Sequence, residues 1–175
     1  MADKIQGKGL IIFSGKQYSG KDTVAKVLLE KMTDYRRFAM GDVIKLEYGK
    51  QKGLTYEEIE NNKATHRPGL IELGNWGRSQ DPDYWLKKII SQPGKIMVTD
   101  VRVQHEYDVF KEAGAITIRV EASRETRASR GDLVGETDVT EVGLDHITDW
   151  DYVIDNNSDY ETLEETAIEL IKRLV

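Results

Sequence analysis

Four residues separate Gly15 from Gly20, Lys21 follows at once, and Asp22 and Thr23 come next. Glycines at such spacing let backbone N–H groups turn inward and approach an anion with no Cβ in the way. Gly15, Lys16, Ser19, Gly20, Lys21, Asp22 and Thr23 are therefore expected to line a phosphate cradle, with the Lys21 ammonium reaching the terminal phosphates of a nucleotide. Asp22 has no hydroxyl to offer a magnesium ion, although its carboxylate can hold the ion's waters or pair with a cation. Thr23 is the nearest hydroxyl. Asp100 closes the apolar run Ile96-Met97-Val98-Thr99. An acid in that place holds Mg²⁺ directly or through water, or else caps the turn before Val101.

Arginine supplies the second signal. Arg119, Arg124, Arg127 and Arg130 precede what reads as a polar, acidic loop, Gly131–Leu144. On a helix the last three lie along one side. As part of a lid they would bring planar, multi-donor cations onto a transferring phosphate. As a solvated face they would pair with Glu121 and Glu125. Arg67, Arg78 and Arg102 are candidates for gripping an anionic acceptor. His66, His105 and His146 show no metal spacing, and Trp76, Trp85 and Trp150 read as packing residues. Asn62-Lys63 runs on into Ala-Thr and cannot complete a guanine-reading motif, so the expected donor is ATP.

These residues need elements to hold them. Gly9-Leu10-Ile11-Ile12-Phe13 reads as a buried strand, and Val24, Val27, Leu28 and Met32 recur at helical spacing behind the loop. Further strands are expected at Tyr35–Met40, Lys95–Asp100, Ala115–Glu121 and Tyr152–Asp155. Helices are expected at Asp42–Lys52, Thr55–Asn62, Pro68–Gln80, Pro82–Ser91, Gln104–Ala113, Ser123–Arg130 and Tyr160–Val175. Thr55 and Glu58 form a capping-box pattern, and Pro68 and Pro82 suit first-turn positions. Strands alternating with helices predict an α/β fold, three layers deep, around a parallel sheet of about five strands. Residues 1–175 form one domain in this reading, with a helical acceptor-binding insertion at about 41–92 and a lid at about 123–144.

Composition narrows the classes of partner. Acidic residues outnumber basic ones by 31 to 25, a net charge of −6, which argues against binding nucleic acid polymers or anionic membranes. No cysteine is present, so disulfides, thiolate zinc sites and thiol nucleophiles are excluded. No apolar run approaches the roughly 18–20 residues of a membrane span, and MADKIQGKG has no leader-like apolar stretch. A cytoplasmic protein acting on a small anionic phosphorylated substrate, as a monomer or weak dimer, is the expectation.

Several motifs together resemble a family. FSGKQYSGKD, Gly74-x-x-x-Arg78-x-x-Asp81-Pro82, Thr99-Asp100-x-Arg102, Arg119-Val120 with Arg130-Gly131, Glu141-x-Gly143-Leu144-Asp145 and the run Asp149–Asn156 are similar to animal-type phosphomevalonate kinases of the nucleoside-monophosphate-kinase fold. That resemblance implies a P-loop kinase passing the γ-phosphate of ATP to 5-phosphomevalonate. It implies that Lys16, Lys21 and Asp22 serve ATP and catalysis, that Arg78 and Arg102 grip the acceptor, and that Arg119 and Arg130 serve phosphates and the lid; Arg127, from its place on the helix between them, is expected to bind the nucleotide as well. Arg102 and Arg130 join Lys21 and Asp22 as expected catalytic residues, and Asn156 would lie near the base. Gln17, Tyr18 and Val103 stand where that family carries basic residues. The same motifs resemble deoxynucleoside monophosphate kinases, toward which Gly20-Lys21-Asp22-Thr23 and Asp83-Tyr84-Trp85 lean. A nucleotide-binding protein without transferase activity, and a kinase for a larger cofactor precursor such as dephospho-coenzyme A, are the remaining alternatives.

Overall fold

A strand covered on both faces must be apolar along its whole length. Leu10–Ser14 meets that condition, with all five residues buried, and forms β1. The computed structural model describes residues 9–174, so the N-terminal residues read above for a leader and the final Val175 lie outside the described residues. In chain order β1 is followed by α1 (Lys21–Lys31) and β2 (Tyr35–Phe38). Then come α2 (Asp42–Lys52), α3 (Tyr56–Asn61), α4 (Lys63–Gln80) and α5 (Tyr84–Ile90). The remainder is β3 (Lys95–Val98), α6 (Gln104–Glu112), β4 (Ile116–Glu121), α7 (Arg124–Arg130), α8 (Val139–Val142), β5 (Tyr152–Asp155) and α9 (Tyr160–Leu174).

The strands form one sheet in the order β2-β3-β1-β4-β5. β1 pairs in parallel with β3 and with β4, and β4 pairs in parallel with β5. Ser14 stands level with Arg119 in this register, so the loop after β1 and the arginine of β4 emerge at the same edge. Ligand crevices of open α/β sheets lie beyond such carboxyl ends. Val24, Val27 and Leu28 of α1 and Leu163, Ala167 and Leu170 of α9 pack into one core with Ile11, Phe13, Met97 and Ile118.

The chain divides into two compact units: residues Phe38–Gln92, and the remainder on either side of them. Within the helical unit, Thr55 and Glu58 form the expected capping box at the start of α3. Trp85 is buried against α4, where its indole N–H donates to Gly74 O at 3.0 Å. Gly77 permits that approach, since a Cβ there would stand 2.5 Å from Trp85 Nε1. Trp76, by contrast, is half exposed and meets Tyr84 edge-on.

Other expectations are corrected. Helix α4 begins at Lys63, so Pro68 lies inside it rather than in its first turn. The carbonyl of Ala64 loses its donor there, and Ala64 is exposed, so water can satisfy it. Pro82 precedes α5 because Asp81 accepts the N–H of Asp83 through its carboxylate and that of Tyr84 through its carbonyl, both at 2.9 Å. β3 ends at Val98, leaving Thr99 and Asp100 beyond the strand. The stretch 131–144, expected as irregular, contains the short helix α8. No helix among the described residues is long and apolar enough to cross a membrane.

Candidate active site

The loop between β1 and α1 is tight because its glycines admit no side chain. A Cβ on Gly15 would lie 2.4 Å from Ser19 Oγ and 2.7 Å from Val120 O. Gly20 has φ +95°, a left-handed conformation that glycine adopts freely, and Tyr18 is the one non-glycine residue with positive φ among the described residues. The buried Asn156 side chain donates to Ser19 O at 2.8 Å. In a planar trans peptide the Gly20 N–H then points away from Asn156, toward the cradle. Arg130 donates to Tyr18 O at 3.1 Å, Asn156 O at 2.8 Å and Ser158 O at 3.4 Å. The loop carbonyls are thus held on one side. Helix α1, whose N-cap is Gly20, has no side-chain cap, so its first-turn N–H groups remain for an anion.

Two cavities flank the loop. One, of about 380 Å³, lies between residues 15–18 and 20–23, Arg102 and Glu141. The other, of about 500 Å³, is walled by Lys16, Ser19, Arg119, Arg127, Asp145 and Asn157, among others. Cations in both are already met by carboxylates. Lys21 Nζ stands 3.2 Å from Asp22 Oδ2, Lys16 Nζ 2.7 Å from Asp145 Oδ2, and Arg102 Nη1 4.0 Å from Glu141 Oε1. Arg119 is buried; it donates to Ser14 Oγ at 2.9 Å and Asp145 Oδ1 at 3.1 Å, and lies 3.6 Å from Glu121.

The structure thus brings Gly15, Lys16, Gly20, Lys21, Asp22, Thr23 and Arg102 around one cavity, and Ser19, Arg119 and Arg127 around the other. Asn156 acts from beneath the loop, while its neighbour Asn157 lines the second cavity. Asp100 is half-buried after β3 and lines neither. Of the arginines on α7, Arg124 pairs outward with Glu136 at 2.9 and 3.0 Å, Arg127 is buried, and Arg130 is spent on loop carbonyls. Arg67 and Arg78 are exposed on α4 of the helical unit, where Arg78 donates to Asn75 Oδ1 at 2.9 Å. Sequence reasoning gave no role to Gln17, Glu141, Asp145 or Asn157. Glu141-x-Gly143-Leu144-Asp145 carried the signal for two of them. Behind Arg102, the Glu106 carboxylate accepts the N–H groups of Arg102 and Val103 at 2.9 and 3.3 Å. Burial pushes the Glu106 pKa up, against the pull of those bonds and of Arg102.

These groups fit a nucleotide triphosphate. The Ser19 hydroxyl is buried at the loop with no hydrogen-bond partner, and Lys21 needs only to leave Asp22 to meet an incoming anion. For Mg²⁺ the donor set is partial: Asp22 and Thr23 line the phosphate cavity. Among the described residues no group of three or more His, Asp or Glu could hold a metal. Such a set suits an ion that arrives on the nucleotide's own phosphates.

Similar folds occur in solved structures of a gluconokinase from Sinorhizobium meliloti (TM-score 0.55, 16% identity, 95% of this chain and 93% of that chain) and a shikimate kinase from Aquifex aeolicus (TM-score 0.52, 16% identity, 93% and 96%). A shikimate kinase from Acinetobacter baumannii compares alike (TM-score 0.52, 17% identity, 95% of each). Sheet order, glycine loop and these likenesses define the α/β fold of P-loop kinases. A family model for phosphomevalonate kinase matches residues 13–115, and one for deoxynucleotide monophosphate kinase matches residues 71–167, each more than half of the chain. The chain belongs to the kinases that these two families describe.

Proposed function

We propose that the protein transfers the γ-phosphate of ATP to the phosphate of a small acceptor, 5-phosphomevalonate, giving 5-diphosphomevalonate. The observation that carries this choice concerns the helical unit. Residues Phe38–Gln92 fall wholly within the stretch matched by the phosphomevalonate kinase model, whereas the deoxynucleotide model begins at residue 71. Lys21 orients the β- and γ-phosphates once it exchanges Asp22 for them. Asp22 and Thr23 would hold Mg²⁺ at the phosphate cavity, with Asp100 as a further candidate through water, and the ion would neutralise charge on those phosphates. Arg119 and Arg127 face the nucleotide. Arg102 meets the acceptor. An acceptor phosphate oxygen is already anionic, so no general base is required.

A second reading, a deoxynucleoside monophosphate kinase, is favoured by the match over residues 71–167, which takes in α7, α8 and β5. A coupled ADP-release assay with 5-phosphomevalonate and the four deoxynucleoside monophosphates separates the two. Turnover with a nucleotide and none with phosphomevalonate selects the second. Tight ATP binding with no turnover on any acceptor points to a binding protein instead. In whichever assay turns over, Lys21→Ala should lose about 2–4 kcal/mol of transition-state stabilisation, by comparison with other removed electrostatic donors. Near-normal activity in that variant rules out this mechanism.

A further inference from the structure

The segment from Gly131 to Asp145 is fastened along the phosphate loop. Gly131 lies against the Tyr18 ring so closely that a Cβ would stand 2.2 Å from Tyr18 Cζ. The Gln17 side-chain amide trades hydrogen bonds with the backbone of Val134: it donates to the carbonyl and accepts the N–H at 3.2 Å. Glu141 Oε2 accepts the Gln17 backbone N–H at 3.2 Å, and its other oxygen faces Arg102 at 4.0 Å. Asp145 bridges Lys16 and Arg119 at 2.7 and 3.1 Å.

Glu141 differs from the other carboxylates of the site. Its side chain is only 5% exposed, and it lines the same cavity as the loop, Lys21 and Arg102. Taking a carboxylate out of water is costly unless donors and cations replace the solvent. Here they come from an N–H of the phosphate loop and from the nearby arginine. The cavity therefore carries a resident anion on groups suited to an incoming phosphate. Two anions competing for those few donors repel each other.

We propose that Glu141 occupies the phosphate site of the nucleotide-free protein, and that nucleotide phosphate displaces it and frees residues 131–145 from the loop. This rests on the phosphate-site reading above. Glu141 is thus a determinant of nucleotide affinity, because binding must first remove an internal competitor. Only the fraction of molecules with Glu141 withdrawn is competent to bind, and apparent affinity falls by that fraction.

The test uses the full chain and two measurements. ATP–Mg²⁺ affinity is determined by calorimetry for the wild type, Lys21→Ala, Glu141→Gln and Glu141→Ala, with circular dichroism confirming that each is folded. The position of the segment is read by electron-spin distance measurement between labels at Lys26→Cys and Thr137→Cys, both exposed positions in a chain with no other cysteine. Glu141→Gln should bind ATP about tenfold more tightly, the gain expected if roughly a tenth of the wild type is competent. The label distance should shift to a longer population when ATP is added to protein carrying Glu141, and be shifted already without ATP in Glu141→Gln. Lys21-dependent ATP binding that is unchanged or weaker in both Glu141 variants overturns the proposal alone. So does a label distance that ATP leaves unmoved. Absence of Lys21-dependent ATP binding overturns the functional reading and the proposal together.

Discussion

Replacing Gly20 by alanine tests how the loop is held. Gly20 has φ +95° and ψ 12°, where an L side chain costs about 1–2 kcal/mol. The new Cβ would also stand 2.2 Å from Asn156 Nδ2. That amide can move aside only by giving up its 2.8 Å bond to Ser19 O. Asn156 is buried, so the broken bond leaves polar groups unmet, at about 1–3 kcal/mol. Gly20→Ala should therefore destabilise the protein by about 2–5 kcal/mol. Asn156→Ala alone loses the same bond and empties the space that the new methyl needs. The two changes share that loss, so the double variant should be more stable than the sum of the singles predicts by about 1–3 kcal/mol. Urea denaturation of the wild type, both single variants and the double variant, all without nucleotide, gives the coupling. Effects that add to within about 0.5 kcal/mol would mean that the Cβ finds room elsewhere, and would refute the account.

Other consequences are quicker to check. Gly77→Ala should lower the melting temperature, because contact with the Trp85 indole at 2.5 Å costs about 1–3 kcal/mol and outweighs the helix-propensity gain of about 1 kcal/mol; a stabilised variant contradicts this. Burial raises the Glu106 pKa in the folded state, so its favourable contribution is complete below the ordinary value of 4.5 and is lost as pH rises through the folded value. Glu106→Gln should then gain stability relative to the wild type as pH rises from acid to neutral, and a difference constant with pH would count against that assignment. Asp22 stands beside Lys21 at the phosphate cavity, so excess chelator should weaken ATP binding by restoring repulsion between carboxylate and phosphates; calorimetry with equal affinity in both conditions contradicts this.

Features written in local spacing could be read directly. The glycine turn from strand to helix, the apolar β1 (one residue later than read) and the Thr55–Glu58 box each involve neighbours within a few residues, and the structure forms all of them. Pro68 misled because first-turn preference is a tendency, and an exposed carbonyl at Ala64 makes an interior proline tolerable. Helix α8 is four residues long, too short to show a period. Asp22 was read as a partner for the ion's waters or for a cation, and Lys21 is that cation. Within the candidate site, individual arginines were legible but their partners were not. Arg130 looks like a free lid cation in sequence, yet it is committed to carbonyls of residues 18, 156 and 158. Gln17 and Glu141, 124 residues apart, carry no mutual pattern, and only the folded register brings them together.

The bond between Asn156 and Ser19 spans 137 residues of chain. That distance matters during synthesis. The phosphate loop leaves the ribosome well before Arg130 and Asn156, on which its carbonyls wait, and its strand waits for β3 and β4. Contacts so distant along the chain form slowly, because much of the loop-closure entropy is lost before they reward it. Nucleotide therefore offers the nascent chain no early shelter, because the loop is finished only after the distant residues that hold it have been made.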